Sequence, residues 1–132
     1  MLLAQQIAYD AGVPVTLEID ANRVGDRMVM TPRGDIDLAT NAAFRAALDD
    51  AFNHGPVDLV LDLNQVTFID STGLGALISA RRRAHVFKGS LLLVCGNEVV
   101  LRVLRITGLD RVFDMVPALG ETSAEPPVPT AG

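Results

Sequence analysis

Cysteine is nearly absent from this chain. Cys95 stands alone among 132 residues, which excludes an internal disulfide and suits a reducing compartment. Lysine is equally scarce, with Lys88 the single example, and the histidines are only His54 and His85. No spaced His/Cys set therefore exists to hold a metal ion. No apolar run approaches the ~20 residues of a membrane-spanning helix. The opening residues Met1-Leu2-Leu3-Ala4-Gln5-Gln6 lack the basic segment and the longer apolar stretch of a secretory signal. Positive charge is in deficit, with 11 Lys and Arg against 16 Asp and Glu and a formal charge of −5. That balance argues against an electrostatic grip on nucleic acid or an anionic membrane. What is present is ordinary globular material, 49% apolar and 20% charged, far from a disordered composition. One cytoplasmic domain is expected, whose folding buries roughly 65–70% of the unfolded chain's surface.

The apolar periods divide the chain. Residues 1–12 are weakly patterned and read as an N-terminal extension, 13–118 as the domain, and 119–132 as a disordered tail rich in proline. Val15, Leu17 and Ile19 alternate with polar residues as in a half-buried strand. Arg27 to Thr31 repeats the pattern, and Asn22 to Asp26 is read as the turn of a hairpin. Phe44, Leu48 and Phe52 then fall four apart, a helix from Thr40 to Phe52 stopped by Gly55-Pro56. A strand follows at Val57 to Leu63, and a helix from Thr72 to about Phe87 with Leu74, Leu77 and Ile78 inward. Ser90 to Cys95 reads as a buried central strand. Glu98 to Ile106 reads as a helix capped by Gly108, and Val112 to Val116 as the last strand. The order is ββαβαβαβ, with a further helical turn allowed beyond Pro117. This is a small α/β fold: a mixed sheet packed by α-helices, with right-handed crossovers between parallel strands.

Parallel pairing would bring two loops to one carboxyl edge of the sheet, where open α/β sheets place their sites. One carries Asp35, Asp37 and Thr40; the other carries Asp70, Ser71, Thr72, Gly73, Leu74 and Gly75. Ser71 or Asp70 can serve as a helix N-cap. A hydroxyl at a helix N-terminus is also a favourable carrier of phosphate, because free N–H groups point at it. The two roles are compatible.

The string Asp70-Ser71-Thr72-Gly73-Leu74-Gly75, preceded by Val60-Leu61-Asp62-Leu63 and Val66-Thr67-Phe68-Ile69, resembles the signature of the STAS domain. More narrowly it resembles the bacterial anti-anti-sigma factors, or anti-sigma factor antagonists. Gly34-Asp35-Ile36-Asp37 resembles that family's Gly-Glu-Leu-Asp segment, with Asp for Glu and Ile for Leu. The likeness covers about residues 13–118. It implies that Ser71 is phosphorylated by a partner anti-sigma factor, itself an ATP-using serine kinase, and that a metal-dependent serine phosphatase reverses the mark. It further implies that Asp35, Asp37, Thr40, Asp70 and Thr72 support partner contact, that Gly73 and Gly75 allow close approach, and that Leu74 adds apolar contact. The chain itself would need no cofactor, ATP being the partner's. Within the same fold, a phosphorylation-independent scaffold or a subunit of a lipid or anion transport complex is the alternative.

Enzymatic readings fit poorly. A serine hydrolase elbow wants Gly-x-Ser-x-Gly, but Ile69 holds the first glycine position. Asp35-Ile36-Asp37-Leu38-Ala39 misses the last position of a haloacid-dehalogenase motif. Gly73-Leu74-Gly75 lacks the next glycine of a dinucleotide fingerprint and a P-loop lysine. His54 follows a helix end, as a cap would, and His85 lies among arginines. Arg81-Arg82-Arg83 spreads around its helix rather than forming one stripe. Cys95 on a buried strand reads as core.

Overall fold

The alternation of Leu17 and Ile19 is carried into a strand much longer than its apolar part. The computed structural model describes residues 17–119, together with the backbone of a short antiparallel pair, β1 (Tyr9–Asp10) and β2 (Val13–Pro14). Strands β3 (Leu17–Val24) and β4 (Arg27–Ile36) form the expected hairpin. The turn differs from expectation. Asn22, Arg23 and Val24 lie within β3, and only Gly25-Asp26 connects the strands, with Val24 opposite Arg27. Gly25 has φ +66, the positive φ that two-residue hairpin loops require and that glycine adopts without steric penalty.

Strand β4 runs five residues beyond the expected end at Thr31, past Pro32. The pairing explains why a proline is tolerated there. On its far side β4 pairs in parallel with β5 (Asp58–Asp62) over Arg27–Met30, and with β6 (Val66–Ile69) over Gly34–Ile36. Pro32 falls between the two, where no parallel partner needs an N–H from it. Strand β6 is an addition to the expected order, standing between β5 and the second helix. Strands β7 (Ser90–Val94) and β8 (Asp114–Val116) complete a mixed sheet of order β3-β4-β5-β7-β8, with β6 beside β4.

Helices α1 (Asn41–Phe52), α2 (Ser71–Val86) and α3 (Glu98–Thr107) join the sheet in one core. Phe44, Leu48 and Phe52 of α1 are buried as their spacing requires, beside Met30, Leu59, Leu61 and Leu93 of the sheet. Each such side chain contributes roughly 1.5–3 kcal/mol when fully buried. The inward face of α2 is Gly73, Leu74, Ala76, Leu77, Ala80 and Ala84. Ile78 was expected inward but is 38% exposed, because the next residue after Leu77 is turned ~100° around the helix. Small side chains at the buried positions let α2 lie close to the sheet.

Two chain reversals rest on backbone geometry. Gly108, the C-cap of α3, has φ +78 as a helix-ending glycine should. At the end of α2 the N–H of Gly89 donates to Ala84 O (2.9 Å) and that of Lys88 to His85 O (3.2 Å). This is the Schellman pattern, with Lys88 rather than glycine in the left-handed position at φ +63. The tail from residue 120 and the extension over residues 1–8 lie outside the described residues, and the turn considered beyond Pro117 lies largely so.

Candidate functional site

The parallel pairing of β4 with β6 does what the loop argument required. Ile36 is in register with Ile69, and Asp70 N donates to Ile36 O at 3.1 Å. The residues after each strand therefore leave the sheet side by side. Asn97, the N-cap of α3, steadies β6 from the far side: its side chain accepts from Val99 N (3.0 Å) and donates to Val66 O (2.6 Å).

The loop out of β4 is tied by its own side chains. Asp37 Oδ1 accepts from the N–H groups of Ala39 (3.0 Å) and Thr40 (3.2 Å). The Thr40 hydroxyl donates to Asp35 O (2.8 Å) and accepts from Asp37 N (3.0 Å). Thr40 is 1% exposed. Its expected place at a partner surface is corrected: the side chain braces the loop from within. Asp35 is half-buried and accepts from the Thr67 hydroxyl at 2.6 Å, linking this loop to β6.

At the start of α2 the choice of cap is settled. Asp70 is the N-cap, with Oδ1 accepting from Thr72 N (2.9 Å), Thr72 Oγ1 (2.5 Å) and Gly73 N (3.2 Å). The Thr72 hydroxyl is thus engaged inside the protein. The Asp70 carboxyl is held below the usual carboxylate range, chiefly by that hydroxyl, against an opposing push from burial. The backbone N–H groups of Gly73 and Thr72 add to the lowering, as does that of Leu38 across the loop. A depressed pKa adds stability that is complete above the ordinary Asp value of about 3.9 and fades as pH falls through the folded-state value. Asp70→Ala is expected to destabilise the domain by about 1 kcal/mol at neutral pH. In urea titrations the gap from the natural protein should narrow as the pH drops below about 3.9. A gap independent of pH would mean that the charge of Asp70 is not what the cap uses.

With Asp70 capping, Ser71 is left exposed at the first helical position. Among the described residues its hydroxyl takes no hydrogen-bond partner. Gly73 is buried against the sheet, where an added Cβ would lie 2.7 Å from both Ile36 Cγ2 and Ile69 Cγ1. The close approach it permits is therefore to its own sheet, a correction to the partner-facing role. Leu74 is 8% exposed and belongs mainly to the core. Gly75 is half-buried.

Two exposed apolar side chains escaped the sequence reading: Leu38 at 78% and Phe68 at 48% exposure. Leu38 sits beside Asp37 in the loop, and Phe68 lies on β6 opposite Asp35. Leu38 carried one signal, an apolar residue in a turn that belongs to neither flanking period. The other noted groups have local duties. Arg83 pairs with Asp49 (3.5 Å) and lies over the Phe87 ring (5.4 Å), while Arg81 and Arg82 are exposed. His54 Nδ1 lies 3.2 Å from Asp50 O at the end of α1. Cys95 is buried, and burial pushes its thiol pKa up. Among the described residues no cluster of three His, Cys, Asp or Glu is placed to hold a metal ion. No helix among them is long and apolar enough to cross a membrane.

Comparison with known proteins agrees with this geometry. The family model described as STAS domain matches residues 18–122. An anti-sigma-F factor antagonist of Mycobacterium tuberculosis is 31% identical over 91 residues, 69% of this chain and 74% of that protein. An anti-sigma-B factor antagonist of Listeria monocytogenes is 28% identical over 107 residues, 81% of this chain and 93% of that protein. The crystal structure of an anti-sigma factor antagonist from Mycobacterium paratuberculosis matches with a TM-score of 0.74 at 26% identity, covering 80% of this chain and 90% of the other. The mixed sheet, the paired loops at its carboxyl edge and the match over residues 18–122 have one reading: the chain belongs to the STAS-domain family.

Proposed function

We propose that this protein is an anti-sigma factor antagonist whose binding is switched by phosphorylation of Ser71. Unmodified, it docks on an anti-sigma factor through the loop after β4 and the start of α2, and so frees a sigma factor. The anti-sigma factor is also the serine kinase that ends the complex, and a serine phosphatase restores it. The protein acts in the cytoplasm, performs no chemistry of its own and needs no cofactor; ATP serves the partner.

The observation that carries this reading is the division of labour at α2. Asp70 takes the N–H groups of Thr72 and Gly73, and the Ser71 hydroxyl stands exposed and unengaged beside them. A group so placed is open to a kinase and, once modified, presents its new charge directly to a partner. Exposed Leu38 gives the same surface an apolar contact that a partner can bury.

The test is a phosphopeptide map of the protein incubated with ATP and its candidate anti-sigma kinase, read alongside a sizing column. Phosphate on Ser71 with loss of the complex is the expected result. An unmodified Ser71 in a stable complex would replace the switch with a phosphorylation-independent binder. Neither modification nor complex would move the assignment to a scaffold or transport subunit.

A further inference from the structure

We propose that Arg45 is the internal partner of a phosphate on Ser71, its guanidinium closing over the modified serine from the neighbouring helix. The proposal rests on the reading of Ser71 as the modified residue and adds the group that receives the phosphate.

Arg45 lies on α1 and is exposed. The Asn41 amide, set with its nitrogen toward α2, donates to Thr72 O (3.1 Å) and accepts from Arg45 Nε (3.2 Å). Two hydrogen bonds thus connect Arg45 to the residue that follows Ser71. The tip of Arg45 lies over α2 itself, since a Cβ built on Gly75 would lie 3.4 Å from Arg45 Nη2. Gly75 is four residues from Ser71, and side chains at that spacing are neighbours on one helix face, about 5–6 Å apart. The guanidinium is therefore about one helical turn from the serine, at the end of a long side chain with freedom to swing.

Three further features fit. Among the described residues Arg45 makes no ion pair and its two terminal nitrogens take no partner, so the fork that binds phosphate oxygens in pairs is unused. Arg81, Arg82 and Arg83 lie roughly 15 Å or more along α2 and cannot substitute. Glycine weakens a helix interior relative to alanine, and a Cβ at position 75 would make only ordinary contact with Arg45 Nη2, at 3.4 Å. The fold therefore does not demand glycine there, and its presence leaves the guanidinium that much more room beside α2.

The phosphate would also meet Asp35, Asp37 and Asp70 at the same sheet edge. These acids raise its second ionisation and Arg45 lowers it. Phosphoserine is placed at position 71 by codon suppression, so the test does not depend on a kinase, and the phosphate is titrated by ³¹P NMR in otherwise natural protein, Arg45→Gln and Arg45→Lys. Loss of an opposite charge within ~4–6 Å should raise the second pKa by about one unit in Arg45→Gln, with partial recovery in Arg45→Lys. Identical titration of all three would overturn the proposal and leave the Ser71 switch untouched. Failure of the switch itself would show instead in the phosphopeptide map, with the ³¹P comparison still readable.

Discussion

Ser71→Glu is expected to bind the cognate anti-sigma factor at least about tenfold more weakly than the unmodified protein, while Ser71→Ala binds as well as the unmodified form and no longer responds to the kinase. The effect is electrostatic. A carboxylate at position 71 adds to the negative charge of Asp35, Asp37 and Asp70 at one edge of the sheet. The repulsion that lowers affinity is the part made only in the complex: an acid of the docked surface ~6 Å from position 71 would cost roughly 3 kcal/mol at an effective dielectric of 20. Half of that, after solvent screening, is about a tenfold loss. Phosphate carries about −1.5 to −2 charges and should act more strongly. The fold should barely notice, because Ser71 is exposed and negative charge in a first helical turn is favoured by ~0.3–1 kcal/mol. Calorimetric titration of the three proteins, with melting curves alongside, reads both halves of this expectation. Equal affinity across the series would sink the switch, and a large fall in melting temperature for Ser71→Glu would assign the serine to the fold.

Gly89→Ala should be the most damaging single-methyl change in the domain. A Cβ at position 89 would lie 2.1 Å from Val57 O and 2.9 Å from Val57 N. Both are backbone atoms at the start of β5, and Ser90 N already donates to Val57 O at 3.1 Å. No rotamer change relieves that contact, so β7 or β5 must shift. Overpacking of this kind costs about 3 kcal/mol or more. The adjacent residue supplies the control. Lys88 is held in the left-handed region, where an L side chain is strained by roughly 1–2 kcal/mol, so Lys88→Gly should stabilise by about 1 kcal/mol. Denaturant melts of the two variants should therefore move in opposite directions. A neutral Gly89→Ala would show that β5 and β7 can part without loss.

The same pair shows how far the sequence could be read. The end of α2 was legible to within a residue. Which of Lys88 and Gly89 needed to be glycine was not, because one answers to backbone φ and the other to a strand 32 residues earlier. The hairpin, the three helices and the parallel core were legible because each rests on a local apolar period. Strand β6 was not legible: four residues with adjacent Thr67 and Phe68 both exposed show no alternation. Pro32 also stops a strand on local grounds, and only the changeover from β5 to β6 along β4 makes room for it. At the site, Asp70, Ser71 and Asp37 could be placed together from topology alone. Thr40 could not be told from a surface residue, since its burial comes from the loop folding back on Asp35. Ile78 misled for a simpler reason: the alanines at positions 76, 80 and 84 left the inward face of α2 with little apolar contrast.

The separation of Asp70 from Ser71 has a consequence for how such a protein can change over generations. Had one side chain both held the helix end and carried the phosphate, every visit of the kinase would have loosened the fold, and no lineage could have discarded the mark without repairing the helix. In the proposed switch the two duties sit on adjacent residues. Position 71 is free to vary, so a descendant can lose its regulation while keeping its architecture intact, and a duplicated copy can acquire a different trigger without first becoming unstable.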